Sequence, residues 1–122
     1  MNSELLMAKA QRALEAATRA AEVGDTETAA DRAYYSVYYA AWALLDSRGS
    51  PRPKTHRGLI AEFSRLFVKD GPLDAPIGAV LSRLESLRLI ADYTFEPVPA
   101  ADARRALVEA VRFIETIRGL LE

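Results

Sequence analysis

Between Arg32 and Trp42, five of the chain's ten Tyr, Trp and Phe side chains fall within eleven residues: Tyr34, Tyr35, Tyr38, Tyr39 and Trp42. Through the same stretch Ala29, Ala33, Ser36, Ala40 and Ala43 recur at spacings of 4, 3, 4 and 3. An α-helix turning about 100° per residue gathers these small residues on one face. It sets Tyr35, Tyr38, Tyr39 and Trp42 over much of the other, with Arg32 at the upstream edge of the aromatic band. Small residues let a neighbouring helix approach closely, whereas Tyr and Trp join a large apolar body to a polar tip that seeks a partner. The chain is expected to fold around this helix, with one end of it polar.

The rest of the sequence supplies partners. Leu6, Ala10, Ala13, Ala17 and Ala20 repeat the 4, 3, 4, 3 spacing within residues 3–23, and Gly24-Asp25 provides a stop and a new N-cap, so the first two helices should close as an antiparallel hairpin. The second helix runs to about Ser47 and ends at Gly49, before the stiff Ser50-Pro51-Arg52-Pro53 loop. A third starts with Thr55 as cap, turns Leu59, Ile60, Phe63, Leu66 and Phe67 inward, and stops at Asp70-Gly71-Pro72. Asp74 caps a fourth with Pro76 in its first turn and a stripe of Ile77, Val80, Leu81, Leu84, Leu87 and Ala91. After Glu96-Pro97-Val98-Pro99, a last helix presents Leu107, Ala110, Val111, Ile114, Ile117 and Leu121 on one side. No segment alternates with period two. The expected fold is all-α, one domain over residues 1–122, an up-and-down antiparallel bundle of four to five helices.

Composition narrows the function. A net charge of −1 gives no global attraction to nucleic acid or anionic lipid, so any such contact has to be local. No apolar run approaches the roughly twenty residues that span a bilayer, and the early Glu4 reads against a signal peptide; no membrane association is expected. Cysteine is absent, which excludes disulfides and thiolate metal sites and fits a cytoplasmic location.

Two arginines resist a packing-only account. Arg88 falls near the middle of the fourth helix's apolar stripe, and a guanidinium cannot shed its charge and is costly to bury unpaired. It must meet a carboxylate, a Tyr hydroxyl, a partner chain or a phosphate, and Asp92, one turn on, is the nearest acid in the helix. Arg32 poses the same question, and the two are candidates for one shared site. His56, the single histidine, stands at the start of the third helix among Arg48, Arg52, Lys54, Arg57, Arg65 and Lys69, with Glu62 as the one acid. Lys54 and Arg57 are the candidate phosphate or RNA contacts there, with free helix N–H groups and Gly58 permitting close approach. The competing reading is a structural Arg88–Asp92 ion pair beside a solvated basic face. One histidine leaves no His-cluster metal site. Phosphate-loop, dinucleotide, zinc-protease and serine-nucleophile motifs are also missing, so neither metal nor cofactor is expected.

The run Arg32-Ala33-Tyr34-Tyr35-Ser36-Val37-Tyr38-Tyr39-Ala40-Ala41, then Lys54-Thr55-His56-Arg57-Gly58 with Phe63 and Phe67, Gly71 and Leu73, and Leu87-Arg88-Leu89-Ile90-Ala91-Asp92-Tyr93 resembles the HEPN-domain proteins of the prokaryotic UPF0332 branch over about residues 5–120. The resemblance implies a helical bundle that homodimerises and pairs with a minimal nucleotidyltransferase in a toxin–antitoxin or defence module. It also implies a polar cleft at or near the dimer interface, lined by Arg32, Arg88, Asp92 and Tyr93 with Tyr35 and Tyr38. Many relatives are metal-independent endoribonucleases that use an Arg followed, after four to six residues, by His. Here Tyr93 follows Arg88 after four, and Phe95 stands where some relatives carry a Tyr that accepts AMP. The expected protein is therefore a HEPN module without the usual ribonuclease motif. The alternatives are a ribonuclease in which Arg32, His56 and Arg88 converge by folding, with RNA or nucleotide as ligand, and a non-enzymatic helical interaction module.

Overall fold

The computed structural model describes residues 2–122, and among them every regular element is helical. α1 (Asn2–Glu22) runs into Gly24, whose φ of +80° supplies the left-handed turn that ends the helix. α2 (Thr26–Ser47) begins at once, the Asp25 carboxylate accepting the Thr28 N–H at 3.2 Å. Both small-residue stripes are buried, from Leu6 to Ala20 in α1 and from Ala29 to Ala43 in α2. Met7 lies by Ser47, Lys9 by Tyr39 and Ala20 by Ala29, so the two helices run antiparallel at close range. Ser36 is tolerated in this interface because its hydroxyl donates to the Ala33 carbonyl at 2.7 Å.

α2 is the axis of the bundle, and α1, α4 (Ala75–Tyr93) and α5 (Ala100–Leu121) all pack on it. α4 runs against α2, with Ala91 near Ala30 and Arg88 beside Tyr34. α5 runs with α2, Ala103 joining Ala30 at one end and Arg48 donating to the Leu120 carbonyl at 3.4 Å near the other. The result is the up-and-down arrangement, with Val37, Leu44, Phe63, Leu84, Phe113 and Ile117 in one shared core.

The buried face of α5 is rotated from the one its sequence pattern indicates. Val111 is 40% exposed, while Phe113 is fully buried against Phe63 with ring centroids 5.6 Å apart. A phenyl ring offers far more apolar area than an isopropyl group, so the helix turns Phe113 inward and yields Val111 to solvent. The proline-rich connection also does more than link, since it buries Val98 against Ala20, Ala29, Ala30 and Ala103.

α3 (His56–Phe63) starts with the Thr55 hydroxyl accepting the Gly58 N–H at 2.9 Å and continues as a π-helical stretch, Ser64–Lys69. Its apolar anchors Leu59, Ile60, Phe63 and Phe67 are buried, and Leu66 packs at the core's margin. The segment closes at Gly71, where an added Cβ would stand 2.5 Å from the Leu66 carbonyl oxygen and the Phe67 Cα. Backbone atoms cannot swing aside, so Gly71→Ala is expected to lower stability by about 1–3 kcal/mol, read as a lower urea midpoint at unchanged m-value. Gly119→Ala is the control. A Cβ there meets nothing within 4 Å, and the exchange should stabilise the helix by about 0.5–1 kcal/mol.

Candidate functional site

The aromatic edge of α2 meets the start of α3 and the middle of α4. Tyr34, Tyr35 and Tyr38 occupy adjacent positions on this edge. Tyr34 is fully buried, and its hydroxyl lies 3.0 Å from Nδ1 of His56. Tyr38 stacks on the imidazole with centroids 4.4 Å apart, and Tyr35 meets it edge-on at 5.7 Å. The Arg88 guanidinium sits 5.0 Å from the Tyr34 ring centre and 5.7 Å from that of Tyr35. Tyr34 and Tyr35 therefore each touch both His56 and Arg88, residues that the sequence keeps far apart.

Arg88 resolves its placement on an apolar stripe with two ring faces and one carboxylate. Its side chain is 13% exposed, Nη1 donates to Asp92 at 3.1 Å, and Nε is buried without a hydrogen-bond partner. Burial works against its charge, but Tyr35, Tyr34 and Asp92 more than offset this and hold the group protonated. The bland ion pair is thus present, yet one N–H is left unmet.

His56 is pushed below its ordinary value of 6.5, first by burial and then by the Arg88 charge, against a smaller opposing pull from Glu85. The ring is accordingly neutral near pH 7. Burial raises the Tyr34 phenol, with Glu85 acting in the same direction and Arg88 against it, so this hydroxyl keeps its proton. Two tautomers follow. With Nδ1–H donating to the phenol oxygen, Nε2 offers a lone pair as base; with the phenol donating to Nδ1, Nε2–H is a donor. A neutral imidazole beside a fixed guanidinium can move a proton and stabilise developing negative charge without a metal.

Arg32 reaches the cluster only through Tyr35. Its Nε donates to Asp31 at 3.0 Å, and its guanidinium lies 4.9 Å from the Tyr35 ring centre. Of the residues the sequence singles out, Arg32, Tyr35, Tyr38, His56, Arg88 and Asp92 thus belong to one connected group. Tyr93 does not. It is 77% exposed at the end of α4, and its side chain makes no hydrogen bond or ring contact among the described residues. Lys54 and Arg57 flank His56 with exposed side chains that hold no partner there. The anion cradle expected at the start of α3 is also altered, because Thr55 already takes the Gly58 N–H. A Cβ at Gly58 would come within 2.9 Å of that same hydroxyl, so the glycine serves the cap.

Sequence reasoning missed Tyr34 as the hub, Glu85 as the nearby acid, and Arg52, whose guanidinium stacks 4.1 Å from the Trp42 ring centre. Glu85, three residues before Arg88 on the same helix, carried the one legible signal. Among the described residues no group of three His, Cys, Asp or Glu is placed to hold a metal ion, and no helix is long and apolar enough to cross a membrane.

Residues 3–120 match the family model of the HEPN domain. The chain belongs to the HEPN-domain family. This HEPN chain is 33% identical over 91 residues to the protein named "Putative toxin MJ0605" of Methanocaldococcus jannaschii, a match covering 75% of this chain and 67% of that protein. It is also 33% identical over 99 residues to a UPF0332 protein of Thermotoga maritima, covering 78% and 72% respectively, which sets it on the UPF0332 branch. The crystal structure of ST0689, an archaeal HEPN homologue, aligns over 98% of both chains with a TM-score of 0.77 at 21% identity. At that identity the shared property is the HEPN fold.

Proposed function

We propose that this HEPN chain is one half of a prokaryotic toxin–antitoxin or related defence module, a homodimer that pairs with a minimal nucleotidyltransferase and carries the Arg88–His56 cluster at or near the face where two copies meet. Arg88 carries the reading. Its side chain is 13% exposed with Nε unmet, and the last turns of the same helix and the residues after it leave Leu89, Ile90, Tyr93 and Phe95 exposed. Exposed apolar side chains at the end of the helix that carries this largely buried charge suit protein contact better than water. A second copy would cover these exposed apolar side chains and reach the part of the Arg88 guanidinium that is still open to solvent. The toxin-named relative supports the setting.

Light scattering at micromolar concentration is expected to give a dimer, and co-expression with the neighbouring gene product a stable complex. Ile90→Glu with Phe95→Glu should convert the dimer to a helical monomer. A monomeric wild type that captures no neighbour contradicts the reading.

A second reading, metal-independent RNA cleavage, is favoured by one specific observation. Folding brings His56 onto the two tyrosines that carry Arg88, in place of a histidine that would follow Arg88 in sequence. His56 would take the proton of a 2′-hydroxyl as it attacks the adjacent phosphorus, and Arg88 and Arg32 would stabilise the charge on the phosphorane. As the P–O5′ bond breaks, the imidazolium would return the proton to the departing 5′-oxygen, leaving a 2′,3′-cyclic phosphate and a free 5′-hydroxyl. Cleavage of single-stranded RNA in the presence of a chelator tests this reading.

A further inference from the structure

Lys9, Arg12, Ala13 and Ala16 of α1 face Arg32 and Tyr39 of α2 across an open hollow of about 170 Å³. The two alanines leave the floor low, and the long cationic side chains form the rim. Lys9 Nζ stands 4.8 Å from the Tyr39 ring centre, and the Arg32 guanidinium 4.9 Å from that of Tyr35. No acid lines the hollow; Asp31 is bound by Arg32 at 3.0 Å and Glu15 is contacted by Gln11 at 3.4 Å. Lys9 and Arg12 make no ion pair or hydrogen bond among the described residues. In a chain of net charge −1, this is a concentrated positive site, lined by three cations of which one, Arg32, is paired with an acid outside the lining, Asp31.

We propose that the hollow is a phosphate subsite for a nucleotidyl group, in which Lys9, Arg12 and Arg32 hold the phosphate and the Tyr39 ring offers its face to the attached sugar or base. The volume is below the roughly 300 Å³ at which pockets enclose a small molecule, so the phosphate enters and the remainder lies over the aromatic edge. Alternating cations and ring faces is how proteins track single strands, with charge on the backbone and stacking under the bases. Tyr35 lies against Arg32 on one hand and Arg88 on the other, so a strand anchored here continues toward the Arg88–His56 cluster. The inference rests on the reading that RNA or a nucleotide reaches that cluster. A free nucleotide and one unit of a strand both carry this phosphate, and the test separates the two sources.

The full chain is titrated with a fluorescent 2′-O-methyl oligouridylate, with AMP and with inorganic phosphate, as wild type and as Lys9→Gln/Arg12→Gln. Both substituted side chains are exposed, and circular dichroism checks that the helices persist. For a strand, the variant should bind about tenfold more weakly, and its log–log salt slope should be shallower by about 1.4, two contacts at 0.7 each. For a free nucleotide, AMP affinity falls with phosphate competing, and both patterns support the subsite. Unchanged affinities and slope overturn it, as does a wild type that binds none of the probes. Oligouridylate binding lost in Arg88→Ala but kept in the double variant removes the subsite and leaves the Arg88 centre standing. A monomer that captures no neighbour yet shows the variant effect removes the toxin–antitoxin reading and keeps the subsite.

Discussion

On the reading that the chain cleaves RNA, substituting His56 by alanine should lower that metal-independent cleavage by about 10²–10⁴-fold, the contribution a positioned proton-transfer group ordinarily makes. No second histidine exists to take over, and the phenols around it are poor substitutes, since Tyr34 and Tyr35 are both held above the ordinary tyrosine range chiefly by burial. The substitution also removes the Tyr38 stack and the Tyr34 contact, each worth about 0.5–1.5 kcal/mol. Folding must therefore be followed separately by circular dichroism. His56→Gln sharpens the comparison, because an amide can still contact the Tyr34 hydroxyl but cannot transfer a proton at neutral pH. Both variants should lose cleavage while remaining helical. Cleavage by either at the wild-type rate would remove the enzymatic reading.

The largest stability effect is expected at Tyr34. Its ring is fully buried, contacts Tyr35, Tyr38 and His56, and lies under Arg88. Tyr34→Ala should cost about 3–5 kcal/mol, as for other large aromatic truncations in a core, which is a sizeable part of the roughly 5–15 kcal/mol that holds a domain together. Tyr34→Phe keeps the ring and loses the hydrogen bond to Nδ1, for about 0.5–1.5 kcal/mol. Urea unfolding of the pair separates ring from hydroxyl. Equal losses in the two variants would show that the hydroxyl, not packing, is what the core requires.

Much of the bundle is legible in local pattern. The two small-residue stripes, the turns at Gly24 and Gly49 and the caps at Asp25, Thr55 and Asp74 all act through neighbours within a few positions, which is the range a sequence displays. The rotation of α5 is not, because choosing Phe113 over Val111 depends on the space left by Phe63 on another helix. The π-helical stretch after Phe63 likewise answers to the close approach of Val68 to Gly78 of α4, where a Cβ would meet the Val68 side chain at 2.5 Å. At the site, the oddity of Arg88 was visible as a cation on an oily stripe. Its partners were not, since Tyr34 reads as one more aromatic in a run, and only tertiary packing joins it to both His56 and Arg88. Tyr93 shows the converse. It sits at a suggestive spacing from Arg88 but points into solvent.

His56 and Arg88 form one electrostatic centre around Tyr34 and Tyr35. Because the chain has a single histidine, its imidazole proton resonances can be followed by NMR through a pH titration without ambiguity, in wild type and in Arg88→Met. The account predicts a His56 pKa below 6.5 in the wild type that rises when the guanidinium is removed. A wild-type value at or above 6.5, unmoved by the substitution, would contradict it.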